Sequence, residues 1–62
     1  MDSREILRIL KANGWSVVRQ AGSHIQLKNA QVSGTVTVPH PKKDVATGTL
    51  KSIERQSGLR LK

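Results

Sequence analysis

Two imidazoles, His24 in "QAGSHIQLK" (20–28) and His40 in "VPHPKK" (38–43), are the groups of this chain suited to proton transfer near neutrality. The ordinary imidazole pKa is about 6.5. The chain has no cysteine, so thiolate nucleophiles, disulfides and thiolate metal sites are excluded. Its four acids and two histidines are scattered without the spacing of a metal site, and neither a metal nor another cofactor is expected. His24 follows Gly22 and Ser23. Gly22 permits a tight turn and the close approach of a backbone or a phosphate. Ser23 and His24 can then present a hydroxyl and an amide N–H beside the ring, which makes a small anion site. Arg19, Lys28, Lys42 and Lys43 supply cations, provided the fold brings them near.

That combination suits cleavage of an RNA phosphodiester. The reaction needs a base for the ribose 2′-hydroxyl, an acid for the leaving oxygen and cations around the crowded phosphate. An imidazole serves as base or acid, and a positioned group of this kind contributes roughly 10²–10⁴-fold. Neighbouring Lys or Arg stabilises the developing charge. The plainer reading of His24 is a surface residue at a strand start with no role. His40 reads first as an exposed loop residue held extended by its flanking prolines, and second as another proton carrier or phosphate donor. Ser23 reads as a turn residue, because nothing around it marks a base with an orienting acid. Trp15 reads as a core residue more than a stacking platform.

Composition points to the same partner. Eleven Lys and Arg against four Asp and Glu give a formal charge of +7 over 62 residues. A density of this kind suits a polyanion, most simply nucleic acid. With one Trp and no Tyr or Phe, stacking on single strands is nearly unavailable, and backbone contacts must dominate. A chain of this length buries only about 60% of its extended-chain surface. One domain over residues 1–62 is expected, with its chemistry on a face or edge. The longest apolar runs are a few residues, so no membrane span is expected, and Met1-Asp2-Ser3-Arg4 leads into a helical pattern with no signal peptide. A cytoplasmic protein is expected.

The elements that must position these groups follow from periodicity. Asp2 or Ser3 can cap a first helix, with Glu5 at its positive end. Ile6, Leu7, Ile9 and Leu10 supply an apolar face, and Asn13-Gly14 ends it. Trp15 to Gln20 is a strand whose alternation does not decide whether Val17 or Val18 faces the core. Ala21-Gly22-Ser23 is a turn, and His24 to Lys28 alternates as a half-buried strand does. Asn29 to Gly34 is a polar connection, Thr35 to Val38 a third strand, and Pro39-His40-Pro41 its end. Lys42 to Ala46 is a basic loop. Thr47 reads as the N-cap of a second helix from Gly48 to about Ser57. Leu50 and Ile53 form its buried stripe, Gly58 stops it, and Leu59 and Leu61 fold back on it.

The fold class is therefore α+β, in the order αβββα, with a three-stranded antiparallel sheet and two helices on one face. Ile25 and Leu27 should face the helices. His24, Gln26 and Lys28 then face solvent, joined by Thr35 and Thr37 if Val36 and Val38 point inward.

The helix ending in "NGW", then "VVRQAGSHIQLK", then "TVTVPHPKKDVATGTLKSIERQSGL" resembles the HicA toxins of bacterial and archaeal type II toxin–antitoxin systems. The resemblance runs from about Ser3 to Leu59. It rests on the ordered set NGW, GSH, VPHPKK, GTLKSI and SGL more than on any one of them. It implies a double-stranded-RNA-binding-domain-like αβββα fold and a metal-independent mRNA interferase. The essential histidine it implies is His24, with Gly22 and Ser23 completing the motif. It does not establish His40 as a second catalyst. It also implies a HicB antitoxin as partner, covering the histidine face, with promoter DNA bound only through that antitoxin. Two other readings compete. One is a non-catalytic double-stranded-RNA-binding module, which would want a lysine-rich start to the last helix, where Thr47-Gly48-Thr49-Leu50-Lys51 offers one lysine. The other is a basic protein-interaction domain, which leaves the GSH turn unexplained.

Overall fold

Ile25 and Leu27 in one strand stand directly opposite Val38 and Val36 in the next, and all four are buried. These two cross-strand pairs are the floor of the core. The computed structural model describes residues 1–61, and its elements are α1 (Ser3–Ala12), β1 (Ser16–Ala21), β2 (His24–Asn29), β3 (Val32–Pro39) and α2 (Thr47–Ser57). The strands form one antiparallel sheet in the order β1-β2-β3. Ile6, Leu7 and Leu10 from α1, Leu50 and Ile53 from α2, and Trp15 and Val45 from the connections close over the floor. Met1, Leu59 and Leu61 pack at its margin. Both helices lie on β3 and leave the opposite face of the sheet open.

Asp2 is the cap of α1. Its carboxylate accepts from the Arg4 amide at 2.8 Å. That bond first, and the Arg4 side chain second, hold the Asp2 carboxyl below its ordinary value of 3.8. Ser3, the other candidate cap, is instead the first helical residue and is fully buried. At the far end Gly14 takes a φ of 91°, where a side chain is strained. That turn lets the Trp15 amide donate to the Leu10 carbonyl at 3.0 Å and sends the indole into the core.

Several expectations change, and the first of them is β1, which runs one residue later than expected and takes Ala21 from the turn. The second helix starts at Thr47, with Ala46 at the cap position and no side-chain cap bond. The phase is set just upstream, where Val45 is buried and its amide donates to the Met1 carbonyl at 2.8 Å. The third strand starts at Val32, so the expected connection from Asn29 to Gly34 shrinks to a turn at Ala30 and Gln31. The Asn29 side chain closes that turn by accepting from the Gln31 amide at 2.9 Å. Finally, neither Val17 nor Val18 enters the core. Val17 pairs with Leu27 and so lies on the helix side, yet the helices do not extend over β1 and it stays 44% exposed. Val18 sits where the register shifts between Val17 and Arg19, and is 55% exposed.

A chain of this size holds a stability of roughly 3–9 kcal/mol at typical values per residue. Leu27→Ala, at the centre of the floor, is expected to cost about 2–5 kcal/mol and to leave a large unfolded fraction in water. Val18→Thr is expected to stay within about 0.5 kcal/mol of the parent. Urea titration followed by Trp15 fluorescence reads both. The Asp2 cap has a second signature. Because its carboxyl is held low in the folded chain, its contribution is complete above the ordinary value of 3.8 and is lost as pH falls through the lowered folded value. Asp2→Asn should remove that part of the acid-side loss of helicity, measured by circular dichroism, and leave the neutral-pH spectrum helical.

Candidate active site on the open sheet face

Gly22 and Ser23 are the two central residues of a hairpin turn, closed by the pair Ala21 and His24. Gly22 has a φ of 58°. Positive φ at the first central position suits the two-residue turn whose twist matches its strands. No heavy atom lies within 4 Å of where a Cβ on Gly22 would stand. The glycine is therefore needed for its backbone angle, and the space beside it is open.

His24 is the first residue of β2. Ile25 and Leu27 are buried, so alternation turns His24, Gln26 and Lys28 to the open face. Cross-strand partners share a face. Ala21 and Pro39 therefore flank His24, Arg19 and Thr37 flank Gln26, and Ser16 lies opposite Lys28. Arg19 is thus diagonal to both His24 and Lys28. Diagonal neighbours stand about 7–8 Å apart, within reach of a long side chain. The structure brings Arg19, His24 and Lys28 onto one face, with half-buried Gln26, Thr35 and Thr37 between and beside them.

The electrostatics of this face are one-sided. None of the three strands contains an Asp or Glu. Asp2 pairs with Arg4 and Glu5 with Arg8, all on the helix side. Glu54 accepts from the Leu61 amide at 2.7 Å, and Asp44 lies in the loop before α2. The His24 ring is exposed and has no hydrogen bond or ion pair with any described residue. It stands available to a ligand among cations. No group of three His, Cys, Asp or Glu side chains able to hold a metal ion occurs among the described residues, and no helix is long and apolar enough to cross a membrane.

Lys42 and Lys43 do not join the sheet face. They are exposed in the loop after β3, and the Lys42 backbone is tied to the start of α1. His40 corrects the expectation of an exposed loop residue. It is half-buried, and its Nδ1 lies 2.8 Å from the Ser3 Oγ of α1. Pro39 shares the open face with His24, so the next residue turns to the helix side. The two imidazoles lie on opposite sides of the sheet, at the same end of it. Ser3 carried no signal in the sequence, since its partner is 37 positions away. A concavity of about 370 Å³ is lined by Glu54, Arg55, Gly58, Leu59 and Arg60. None of these belongs to the sheet.

Comparison with known proteins adds the following. The family model for the HicA toxin of bacterial toxin–antitoxin systems matches residues 3–59. A chain of the solved HicA3 and HicB3 toxin–antitoxin complex superposes with a TM-score of 0.84 at 30% identity, with 100% of each chain covered. No curated protein matches the sequence significantly.

The different surroundings of the two rings give a direct check. Diethyl pyrocarbonate should acylate the exposed His24 several-fold faster than the half-buried, hydrogen-bonded His40, with peptide mass spectrometry assigning each adduct. Equal rates at the two rings would contradict this arrangement.

Proposed function

This chain belongs to the HicA toxin family, and on that premise we propose that it is an endoribonuclease, an mRNA interferase, whose proton-transfer group is His24. The observation that carries the reading is the free imidazole on an acid-free, cationic sheet face. Strand cleavage forms a bond from the ribose 2′-oxygen to phosphorus and breaks the bond to the 5′-oxygen. A proton leaves the first oxygen and another arrives at the second. His24 can act at either, as base or as acid. Arg19 and Lys28, on the same face, can meet phosphates on either side of the reacting one and offset its developing charge. Gly22 and Ser23 offer open backbone for the phosphate to approach. Lys42 and Lys43 lie off this face, exposed in the loop after β3, and can meet only phosphates beyond it.

One solved relative is a chain of a HicA3 and HicB3 complex. By analogy the partner of this chain is a HicB-type antitoxin, with any promoter DNA bound through that partner. An acidic protein laid on the open face would cover His24 and neutralise Arg19 and Lys28 together. Complementary charge of this kind also speeds encounter. No membrane partner is called for.

His24→Ala tests the reading on purified protein and a defined transcript. Cleavage should fall by roughly 10²–10⁴-fold while RNA affinity stays close to the parent's. Cleavage at the parent rate would remove His24 from the mechanism. Parent protein that binds duplex RNA and leaves transcripts whole would favour a binding module of the same fold. Arg19→Gln and Lys28→Gln should each weaken RNA binding and lower the slope of log affinity against log salt by about 1. An unchanged slope would place the phosphates elsewhere.

A further inference from the structure

We propose that Ser3 and His40 are positioning residues for His24, and that His40 acts through its Nδ1 acceptor and its backbone amide, not as a proton carrier. The inference rests on the role given to His24 above.

The chain of bonds starts at Ser3. Its side chain is fully buried at the first position of α1, and Asp2 already supplies the cap. Its Oγ has two partners, the Lys42 amide at 2.9 Å and the His40 Nδ1 at 2.8 Å. The Lys42 amide can only donate, so Oγ accepts there. The hydroxyl carries one hydrogen, and leaving it unpaired in the interior is costly. Nδ1 is its partner among the described residues. The hydroxyl therefore donates to Nδ1, which fixes the His40 ring with its proton on Nε2. The Ser3 amide in turn donates to the Lys42 carbonyl at 2.8 Å. Ser3 thus grips the chain at residues 40 and 42 together.

His40 passes this order to the site. Its backbone amide donates to the Ser23 carbonyl at 2.7 Å. Ser23 is the last turn residue before His24, and its carbonyl belongs to the peptide unit that carries the His24 amide. Residues 16–24 are all exposed, so side-chain packing does little to hold this turn. The bonds from α1 through His40 supply what packing does not. A displacement of about 1 Å at a reacting group can cost 10²-fold in rate, so a loose turn is expensive. His40 itself lies on the helix side of the sheet and shares no face with His24.

Two substitutions at one position separate positioning from proton transfer. His40→Asn places an amide oxygen near the position of Nδ1, keeps the backbone amide and carries no titratable ring. His40→Ala removes the acceptor, and Ser3→Ala removes its donor. His40→Asn should keep kcat for RNA cleavage within about threefold of the parent. His40→Ala and Ser3→Ala should lower kcat by about 10²-fold with KM little changed. In the RNA-free protein the Ser23 and His24 amide resonances should move in the two Ala variants and stay in place in His40→Asn. A folded His40→Asn as inactive as His40→Ala, with those resonances unmoved, would make His40 a proton carrier and overturn the proposal. Parent-like cleavage by both Ala variants would overturn it as well. If the parent protein cuts no RNA, the role of His24 fails, and the two resonances still decide whether Ser3 and His40 hold the turn. If an Ala variant unfolds, hydrogen exchange at the His40 amide of the parent decides. Protection like that of the core strands is expected, and free exchange would contradict the bond to Ser23.

Discussion

The packing of Ile25 and Leu27 against Val38 and Val36 beneath two helices is the constraint on which the rest depends. The side-chain period of a strand is two, so burying these residues leaves His24, Gln26 and Lys28 one direction to face. A slip of one residue would drive an imidazole and an ammonium into a thin core and push Leu27 into water. Burial without exposed area at Leu27, Val36 and Val38 makes that slip costly. The chemistry of the open face is thus held in place by the apolar residues behind it.

Charge is sorted by the same layering. The acids sit on the helices, their caps and the loop before α2, where Asp2 and Glu5 pair with Arg4 and Arg8, and the strands carry none. Of the net charge of +7, the strands hold +2, from Arg19 and Lys28, with no acid among them. The sheet face keeps Arg19 and Lys28 without a nearby carboxylate to cancel them. That arrangement costs the folded chain some self-repulsion and makes the face receptive to a polyanion or to an acidic protein. Under the proposed function, RNA and antitoxin would compete for this one surface.

Much of this was legible from local pattern. The alternation at His24 to Lys28, the apolar stripes at Ile6, Leu7 and Leu10 and at Leu50 and Ile53, and the glycine stops at Gly14 and Gly58 depend on neighbours a few residues apart and stood where expected, while Ile9 is only half-buried. Most of the misses arose where the partner is distant in sequence, and one, at Asn29 and Gln31, was a local turn. Val45 held against Met1 sets the start of α2, so Thr47 never acts as a cap. Asn29 closes a turn tight enough for Val32 to Gly34 to join the third strand. How far the helices reach across the sheet decides the exposure of Val17, and no alternation reports that. His40 looked like an exposed loop residue because nothing near it announces the buried hydroxyl of Ser3. The HicA resemblance agreed with the family match over residues 3–59, while the roles of the individual residues still rest on geometry and chemistry.

Where the RNA sits is the most direct test of the account. A structure of the His24→Ala protein bound to a short RNA, made uncleavable by a 2′-O-methyl group at the reacting ribose, would show it. That ribose is expected above position 24 on the open face, with adjacent phosphates at Arg19 and Lys28. An RNA seated on the helix side, or held only by the loop at Lys42 and Lys43 with the open face bare, would contradict it.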